Sequence, residues 1–388
     1  MISSETPLSR RTIEIPFNRP FLTGDELVYV RDAIVNGHTA GAGRFSSKCE
    51  NILQEIIGSD RALLTTSCTD ALEMSALLLD LEPGDEVIVP SFTFVSTANA
   101  YVIHGATPVF ADIRPDTLNI DDRALESLVT DRTRAIIAVH YAGVACEMEP
   151  ILELASRRGI AVIEDNAHGL LGSYKERPLG SLGALATQSF HETKNITCGE
   201  GGALMINQVD LIGRAEKIRE KGTNRSEFYR GQVDKYTWVD VGSSFLPSDL
   251  LAAYLLAQLE RRDEIQRRRE RIWRAYDDSL SDWCKKLGAR RPVVPGHCVQ
   301  PYHMYYLLMP DLATRDRFIS HLREAGILAV FHYVPLHASP MGRSLGGRMG
   351  QCPVTETVSD QIVRLPFYTG MTESEQERVL NGVLSFSA

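Results

Sequence analysis

The feature that most constrains the fold is a series of short runs that are apolar at every position. These runs are rich in β-branched side chains and lie at residues 87–89, 108–110, 135–139 and 160–163. Strands that are buried on both faces have this composition, because neither face meets water. Segments with helical spacing separate the runs, at residues 68–79, 96–104 and 148–158. Strands and helices in alternation predict an α/β fold with a mostly parallel sheet between helices.

The C-terminal part of the chain has a different pattern. Residues 250–283 form a long charged helical stretch, and a proline-rich break follows at residues 291–301. Shorter segments then follow, strand-like at 302–309, helical at 315–325 and strand-like at 327–333. We therefore expect a large domain over residues 1–250, and a connecting helix with a small α+β domain over residues 251–388. Near the start of the large domain, Thr23 and Glu26 have capping-box spacing and predict a helix that ends near Asn36.

The composition excludes several classes of protein. Hydrophobic residues at 44% and charged residues at 23% are typical of a folded globular protein and not of a disordered one. A net charge of −9 argues against a nucleic-acid partner. The seven cysteines are scattered without a CxxC pair, which indicates free thiols in a reducing compartment and no metal site. Because no stretch has the apolar length of a membrane span or the core of a signal peptide, we expect a cytoplasmic protein without a membrane partner.

Lys194 is the first candidate for chemistry. It follows a strand pattern at residues 184–186 and precedes a cluster of glycines at residues 199–202. Most lysines in turns are simply exposed, but glycines allow the backbone to approach a ligand closely. A lysine that is held near a sheet edge and shielded from water can act as an amine nucleophile.

Asp165 is the second candidate, because it comes directly after a predicted buried strand. A solvated turn or a helix N-cap would also explain an acid at this position. If the strand is parallel, however, Asp165 lies at its carboxyl end, where open α/β sheets bind their ligands. An acid there could pair with a protonated ring nitrogen.

The third candidate is the helix start within residues 63–72. An apolar strand gives way to Ser67, Cys68 and Thr69 before the helical pattern begins. Free backbone N–H groups and the helix dipole make such a start an anion site, although a plain N-cap has the same appearance. The sequence contains neither a GxGxxG fingerprint nor a Walker A loop, which argues against NAD and ATP.

The three candidates together match the needs of one cofactor. Pyridoxal 5′-phosphate requires an anion site, an acid for its pyridinium nitrogen and a lysine that bonds it covalently. Here the helix start comes first, then Asp165, and then Lys194 about 30 residues later. This order also fits aminotransferases of the aspartate-aminotransferase fold type.

Several motifs resemble those of the DegT/StrS group of sugar-nucleotide aminotransferases over almost the whole chain. The motifs are IPFNRP at residues 15–20, PSFTFVSTAN at 90–99, ED at 164–165, SFHETK at 189–194, GEGG at 199–202 and FHYVPLH at 331–337. The resemblance implies a PLP-dependent transferase of fold type I, with a seven-stranded type of sheet, and a homodimer that shares its active sites. Segments 220–226, 231–238 and 242–249 are similar to the branch that aminates dTDP-4-keto-6-deoxyglucose at C4.

The resemblance also implies roles for individual residues. Lys194 would bond the cofactor and shuttle the proton, and Asp165 would pair with the pyridinium nitrogen. Phe94 would stack on the ring. The phosphate would be held by the helix start and the following strand end, namely by Ser67, Cys68, Thr69 and Ser189.

Two positions depart from the usual family pattern. His168 stands where many relatives have a glutamine that contacts the ring hydroxyl, and an imidazole can still donate that hydrogen bond. Ser244 stands where many relatives have an asparagine that reaches the neighbouring subunit's phosphate, although serine is usual in the C4 branch. Relatives that dehydrate the sugar have histidine in place of the lysine, so Lys194 argues against that chemistry.

Other residues are candidates for binding the substrate. Arg225, Tyr229 and Lys235 are suited to a nucleotide diphosphate, with ordinary surface positions as the alternative. His332 and His337 lack the spacing of metal ligands. We expect them either in a loop that faces the substrate or in plain packing.

The sequence therefore predicts an aminotransferase that moves an amino group from L-glutamate to C4 of dTDP-4-keto-6-deoxy-D-glucose. Its cofactor would alternate between pyridoxal 5′-phosphate and pyridoxamine 5′-phosphate. The alternatives are a C3 aminotransferase, a dehydratase on a related keto sugar, and a non-catalytic regulatory member of the family. The galacto or gluco configuration of the product, the pathway and the preferred donor stay open.

Overall fold

The computed structural model describes residues 13–387. Strands in this part of the chain are β1 Arg61–Thr65, β2 Glu86–Pro90, β3 Thr107–Ala111, β4 Thr133–Val139, β5 Ala161–Asp165, β6 Ser173–Tyr174, β7 Arg177–Pro178, β8 Leu185–Ser189, β9 Gly202–Ile206, β10 Cys298–Val299, β11 Tyr306–Leu308 and β12 Ile362–Arg364. Helices are α1 Glu26–Val35, α2 Arg44–Ile57, α3 Cys68–Leu78, α4 Ser96–Val102, α5 Met148–Arg158, α6 Ile212–Arg219, α7 Arg225–Tyr229, α8 Asp249–Glu260, α9 Arg262–Leu287, α10 Leu312–Glu324, α11 Pro340–Ser344, α12 Pro353–Gln361 and α13 Glu373–Leu384. Short 3-10 turns occur at Asp122–Leu128, Tyr141–Gly143, Val209–Leu211 and Leu336–Ala338.

The largest sheet has seven strands in the order β1-β9-β8-β5-β4-β2-β3. Strands β3, β2, β4, β5 and β8 pair in parallel, and β9 pairs antiparallel with both β8 and β1. All strands except β9 therefore run in the same direction and end at one edge of the sheet. The predicted α/β fold with a mostly parallel sheet is confirmed.

Both faces of the sheet are buried, and strand β4 shows how. Ile136 and Ala138 pack into a core with helix α5 on one face, whereas Ala135, Ile137 and Val139 pack with α3 and α4 on the other. Burying one such isoleucine stabilises the fold by roughly 1.5–3 kcal/mol. A strand that is buried on both faces therefore consists of an uninterrupted run of apolar residues. This is the physical basis of the pattern that predicted the strands.

The C-terminal elements form a separate apolar cluster. Strands β11 and β12 pair antiparallel, and helices α9, α10 and α13 pack around them. The boundary between the two predicted domains at residue 250 stays a prediction. Residues 1–12 of the first domain and residue 388 of the second lie outside the described residues. Residue 250 itself falls within α8, which packs in one cluster with α1 and α2.

Three local predictions differ from the structure. The stretch 250–283 is two helices, α8 and α9, because Arg261 leaves the helical conformation between them. Residues 327–333 form only isolated bridges, Ile327 with Ile15 and Val330 with Arg364. At the start of α1, Glu26 accepts hydrogen bonds from the backbone N–H and the hydroxyl of Thr23, so that hydroxyl donates to the carboxylate instead of capping the helix.

Within residues 13–387, no helix combines the length and the apolar character that crossing a membrane would require.

Candidate active site

A cavity of about 460 Å³ opens at the edge where the parallel strands end. Its walls come from the strand ends, the start of α3 and the C-terminal elements. Most of the predicted site residues line it, namely Ser67, Cys68, Thr69, Phe94, Asp165, His168, Ser189, Lys194 and His332.

Strand register explains why residues distant in sequence meet here. Gly202 at the start of β9 pairs with Thr65 at the end of β1 and with Ser189 at the end of β8. Asp165, at the end of β5, pairs with Thr187 of β8. The chain segments that follow these strand ends therefore open into one space.

Lys194 lies in the connection between β8 and β9. That connection folds back on itself, since Phe190 N donates to Gly201 O at 2.8 Å and Lys194 N donates to His191 O at 2.9 Å. Burial lowers the pKa of the Lys194 amine to about 8, although the nearby Cys68 and Asp165 favour its charged form. No described residue forms a hydrogen bond or ion pair with Nζ, so the amine is available for a reaction.

Asp165 is held in place by a threonine that the sequence analysis missed. Thr97 in α4 donates to Oδ2 of Asp165 at 2.7 Å, and the Ala167 N–H donates to Oδ1 at 3.3 Å. Thr93 is 2.9 Å from the Thr97 hydroxyl. The carboxylate is thus oriented by two donors while it lines the cavity.

Glu164, the neighbour of Asp165, has a structural role. Its carboxylate accepts from the N–H groups of Gly180, Leu182 and Gly183 and lies 3.0 Å from Nε2 of His140. Complete burial opposes ionisation, but the hydrogen bonds from His140 and the backbone outweigh it and lower the pKa of Glu164. Glu164 therefore fixes the loop after β7 to strand β5.

The start of α3 forms an anion cradle. Ser67 caps the helix by accepting from Asp70 N at 3.0 Å, and the N–H groups of the first turn have no partners within the helix. A Cβ on Gly202 would lie 2.4 Å from Cys68 N, so only glycine allows β9 to run this close to the helix start. Burial raises the pKa of the Cys68 thiol to about 12, and the thiol therefore stays neutral beside a bound anion.

His168 has a buried ring nitrogen without a partner. Its Nδ1 has no hydrogen bond to the described residues. Its ring stacks on that of His303 at a centroid distance of 4.2 Å, and His303 is fixed by Asn195 at 2.8 Å. Burial lowers the pKa values of both histidines well below the usual range, so both rings are neutral.

The two histidines of segment 331–337 have different environments. His332 lines the cavity, and its Nδ1 lies 2.8 Å from the Tyr141 hydroxyl. His337 is completely buried elsewhere, with Nδ1 2.6 Å from the Ser91 hydroxyl and Nε2 2.9 Å from Glu356. The structure favours packing over substrate contact for His337.

The remaining predicted residues do not line the cavity. Arg225 and Tyr229 are exposed on α7, and Nη2 of Arg225 donates to the Tyr229 hydroxyl at 2.7 Å. Lys235 and Ser244 are also exposed. Within a single chain, these four residues are not brought together with Lys194.

The cavity includes further residues that the sequence analysis did not identify. They include Thr97, His303, Tyr333 and Arg364. Thr97 lies within the motif at residues 90–99 and could have been found there as a hydroxyl near a strand end. Tyr333 lies within the motif at residues 331–337, whereas His303 and Arg364 come from C-terminal elements that no local pattern connects with Lys194.

The cavity fits a ligand that carries a phosphate and an aromatic ring. The α3 cradle offers N–H groups, Asp165 offers an oriented carboxylate, His168 offers an unpartnered nitrogen and Lys194 offers a free amine. Among residues 13–387, no group of three or more histidine, cysteine or acidic side chains could hold a metal ion. The fold and the cavity thus define an α/β protein with a buried amine, that of Lys194, at the edge where the parallel strands end.

The chain belongs to the DegT/DnrJ/EryC1/StrS aminotransferase family, whose sequence profile matches residues 21–384. It is 35% identical over 368 residues to GDP-perosamine synthase from Caulobacter vibrioides, covering 93% of this chain and 95% of the relative. It is 32% identical over 384 residues to the spore coat polysaccharide biosynthesis protein SpsC from Bacillus subtilis, covering 97% and 98%.

Solved structures show the same similarity. The aminotransferase TlmJ from Streptoalloteichus hindustanus superposes with a TM-score of 0.87 at 30% identity, over 96% of this chain and 98% of TlmJ. Spr1654 from Streptococcus pneumoniae has been solved in apo, PMP and PLP forms, and its PLP form has a TM-score of 0.88 at 26% identity, over 96% of this chain and 98% of that one. The predicted family and fold are confirmed.

Proposed function

We propose that this enzyme is a PLP-dependent transaminase of the dTDP-4-amino-4,6-dideoxygalactose type. It transfers an amino group from L-glutamate to C4 of dTDP-4-keto-6-deoxy-D-glucose. The observation that carries the proposal is the convergence of Lys194, Asp165 and the start of α3 on one cavity. The PLP and PMP forms of Spr1654 support the cofactor.

The residues that would hold the cofactor are those of the cavity. The first turn of α3 and Ser189 would bind the phosphate, Asp165 the pyridinium nitrogen, and His168 the ring hydroxyl. Phe94 is 57% exposed at the cavity and would stack on the ring. When bound, pyridoxal phosphate supplies an electron sink for the carbon that carries the amine.

Lys194 would carry the proton in both halves of the reaction. With a pKa of about 8, the amine is neutral far more often at neutral pH than an exposed lysine is. Nζ accepts the proton released from Cα of the amino donor. In the second half, Nζ delivers a proton to C4 of the sugar, while hydrogen bonds from Thr97 and the Ala167 N–H keep the Asp165 side chain oriented.

We assign nucleotide binding to a site shared by two subunits of a homodimer. Arg225, Tyr229 and Lys235 lie outside the cavity of their own chain, and large apolar side chains near them are exposed, including Trp238 at 76%. A second copy would cover these surfaces, and Ser244 would then contact the partner's phosphate. Light scattering would test this with an expected mass of twice 43.1 kDa.

The cysteines support a reducing compartment, and we propose a cytoplasmic enzyme. None of the seven cysteines forms a disulfide, and all except Cys68 are buried. Free thiols are typical of the cytosol.

The identity of the nucleotide has a specific competitor. The 35% identity to a GDP-perosamine synthase favours a GDP-linked keto sugar as the second candidate. The two candidates share the chemistry at the reaction centre and differ in the base that is recognised. A comparison of substrates therefore separates them.

The proposal is tested by incubating the PLP-loaded enzyme with L-glutamate and, in parallel, with dTDP-, GDP- and UDP-linked 4-keto-6-deoxy sugars. We expect NMR of the product to show an amine at C4 with the dTDP sugar. The variant Lys194→Ala should give no turnover. Full turnover by that variant, or an amine at C3, would contradict the proposal.

A further inference from the structure

His303 lines the cavity from a segment whose backbone is held in place. The segment, residues 300–305, connects β10 to β11. Arg269 of α9 is buried and donates to Tyr302 O at 3.0 Å and to His303 O at 2.5 Å. Tyr302 has a φ of +52°, a left-handed conformation that is strained and persists only where its surroundings impose it. The backbone that carries His303 is therefore restricted to one conformation.

The ring of His303 is fixed by the residue that follows Lys194. Asn195 donates through Nδ2 to Pro301 O at 2.7 Å, and its Oδ1 lies 2.8 Å from Nδ1 of His303. Because an amide oxygen only accepts, this network assigns the hydrogen of the ring to Nδ1 of His303. Burial lowers the pKa of His303 well below the usual range, so the ring is neutral.

The ring of His168, by contrast, is held by packing alone. Its Nδ1 is buried without a partner, and no described residue forms a hydrogen bond with its other nitrogen. Its centroid lies 4.2 Å from that of His303, with 19° between the two planes. The rings of Tyr141 and His332 lie farther away, at 6.0 and 6.4 Å. Stacking on His303 is therefore the closest ring contact that sets the plane of His168.

The plane of the His168 ring decides where its two nitrogens point. A hydrogen bond weakens steeply as its angle departs from linear, so a rotated ring would lose a bond to a ligand. His303 is itself bound to Asn195, and Asn195 is the next residue after Lys194. The stack thus relates the orientation of the imidazole to the segment that carries the amine.

We propose that His303 is a positioning residue, which holds the ring of His168 in the plane required to bond the ring hydroxyl of PLP. Asn195 fixes His303 and so connects this role with the segment of Lys194. The inference rests on the proposed function, because it takes His168 as the partner of the ring hydroxyl. It does not depend on which sugar is aminated.

A double-mutant cycle tests whether His303 acts through His168. The measurement is the equilibrium affinity of each variant for PLP, followed by absorbance. We expect His303→Ala to weaken PLP binding about 2- to 10-fold, the value of one hydrogen bond, as His168→Ala does. The double variant should bind no more weakly than His168→Ala alone, because the ring that His303 orients is then absent. Losses that multiply would overturn the proposal, since they would show that His303 acts independently of His168.

A cofactor analogue separates positioning from general packing. 3-Deoxypyridoxal 5′-phosphate lacks the ring hydroxyl, so its affinity should be the same for the wild type and for His303→Ala. Equal losses for PLP and for the analogue would overturn the proposal. His297→Ala is the matched control and should bind both ligands like the wild type. His297 is exposed outside the cavity just before β10, and it also contacts an aromatic ring, that of Tyr174.

A second variant and the sugar reaction complete the test. If His303→Ala does not fold, His303→Leu replaces it in the cycle, because leucine fills the space without a planar ring. If the cycle couples the two histidines but no keto sugar is aminated, the positioning role stands and the proposed sugar reaction fails. If the wild type aminates the sugar but the losses multiply, the proposed function stands and the positioning role fails.

Discussion

At the scale of single residues, burial changes what ordinary side chains can do. The amine of Lys194 loses solvation in the cavity, and this effect exceeds the attraction of Cys68 and Asp165 for its proton. The imidazole of His168 stays neutral for the same reason. The side chains are common ones, and burial in the cavity lowers the pKa of each.

The lowered pKa of Lys194 predicts a pH-dependent reactivity. Only the neutral amine is a nucleophile, so labelling of cofactor-free protein should rise as the pH passes through about 8. An ordinary exposed lysine reaches the same fraction of neutral amine only at about pH 10.4. Mass spectrometry of the acetylated peptides measures the labelled fraction of Lys194 at each pH. Asp165→Asn should move the midpoint lower, because Asp165 favours the charged amine; a midpoint near that of exposed lysines would contradict the assignment.

The unpartnered nitrogen of His168 predicts different effects of two substitutions. Glutamine can replace the hydrogen-bond donor, so His168→Gln should keep PLP affinity close to that of the wild type. His168→Ala should weaken it about 2- to 10-fold, the value of one hydrogen bond. Equilibrium binding of PLP followed by absorbance measures both. Equal losses in the two variants would show that the ring acts only by stacking on His303.

At the scale of elements, the site depends on how closely a strand approaches a helix start. Strand β9 passes the first turn of α3 at a distance that only Gly202 permits. The register of β9 with β1 and β8 sets this approach. The anion cradle is therefore a property of the sheet as much as of the helix.

Gly202→Ala tests this approach. Its Cβ would meet backbone atoms at 2.4 Å, so the start of α3 must shift, and we expect PLP affinity to fall by at least about 10-fold with a lower Tm. Gly213→Ala is the control, since Gly213 lies in α6 with open space around it. That variant should be neutral or stabilised by up to about 1 kcal/mol. Unchanged PLP affinity in Gly202→Ala would refute the cradle.

At the scale of the whole molecule, His337 joins distant parts of the chain. Its ring lies between Ser91, next to the end of β2, and Glu356 in α12. The C-terminal segments that contribute Arg364 and His332 to the cavity are thus tied to the sheet by a buried polar contact. His337 is thus buried in the interior and is not among the residues that line the cavity.

We expect His337→Ala to lower the free energy of unfolding by about 1–3 kcal/mol, because Ser91 and Glu356 lose their buried partner. Denaturant unfolding at one fixed protein concentration measures this. His38→Ala, at an exposed position, is the control and should be close to the wild type. Below the unfolding transition the KM of His337→Ala for the sugar should be unchanged; a selective rise in KM would instead support substrate contact.

The local sequence by itself determined most strands of the large sheet, and it singled out Lys194, Asp165 and the start of α3 as candidates for the site. Burial on both faces and helix capping leave patterns within a few neighbouring residues, and such patterns can be read directly. The helical pattern runs on through the break at Arg261, and the strand-like pattern of residues 327–333 corresponds only to isolated bridges, so neither difference could be read from the local sequence.

Only the tertiary structure decided which residues share the cavity. Thr97, His303 and Arg364 reach Asp165, His168 and Lys194 through sheet register and the packing of the C-terminal elements, contacts that span tens to hundreds of residues. The same packing places His332 in the cavity and His337 in the interior, although they are five positions apart. Periodicity records which side of an element is buried, but not which distant side chain it meets there.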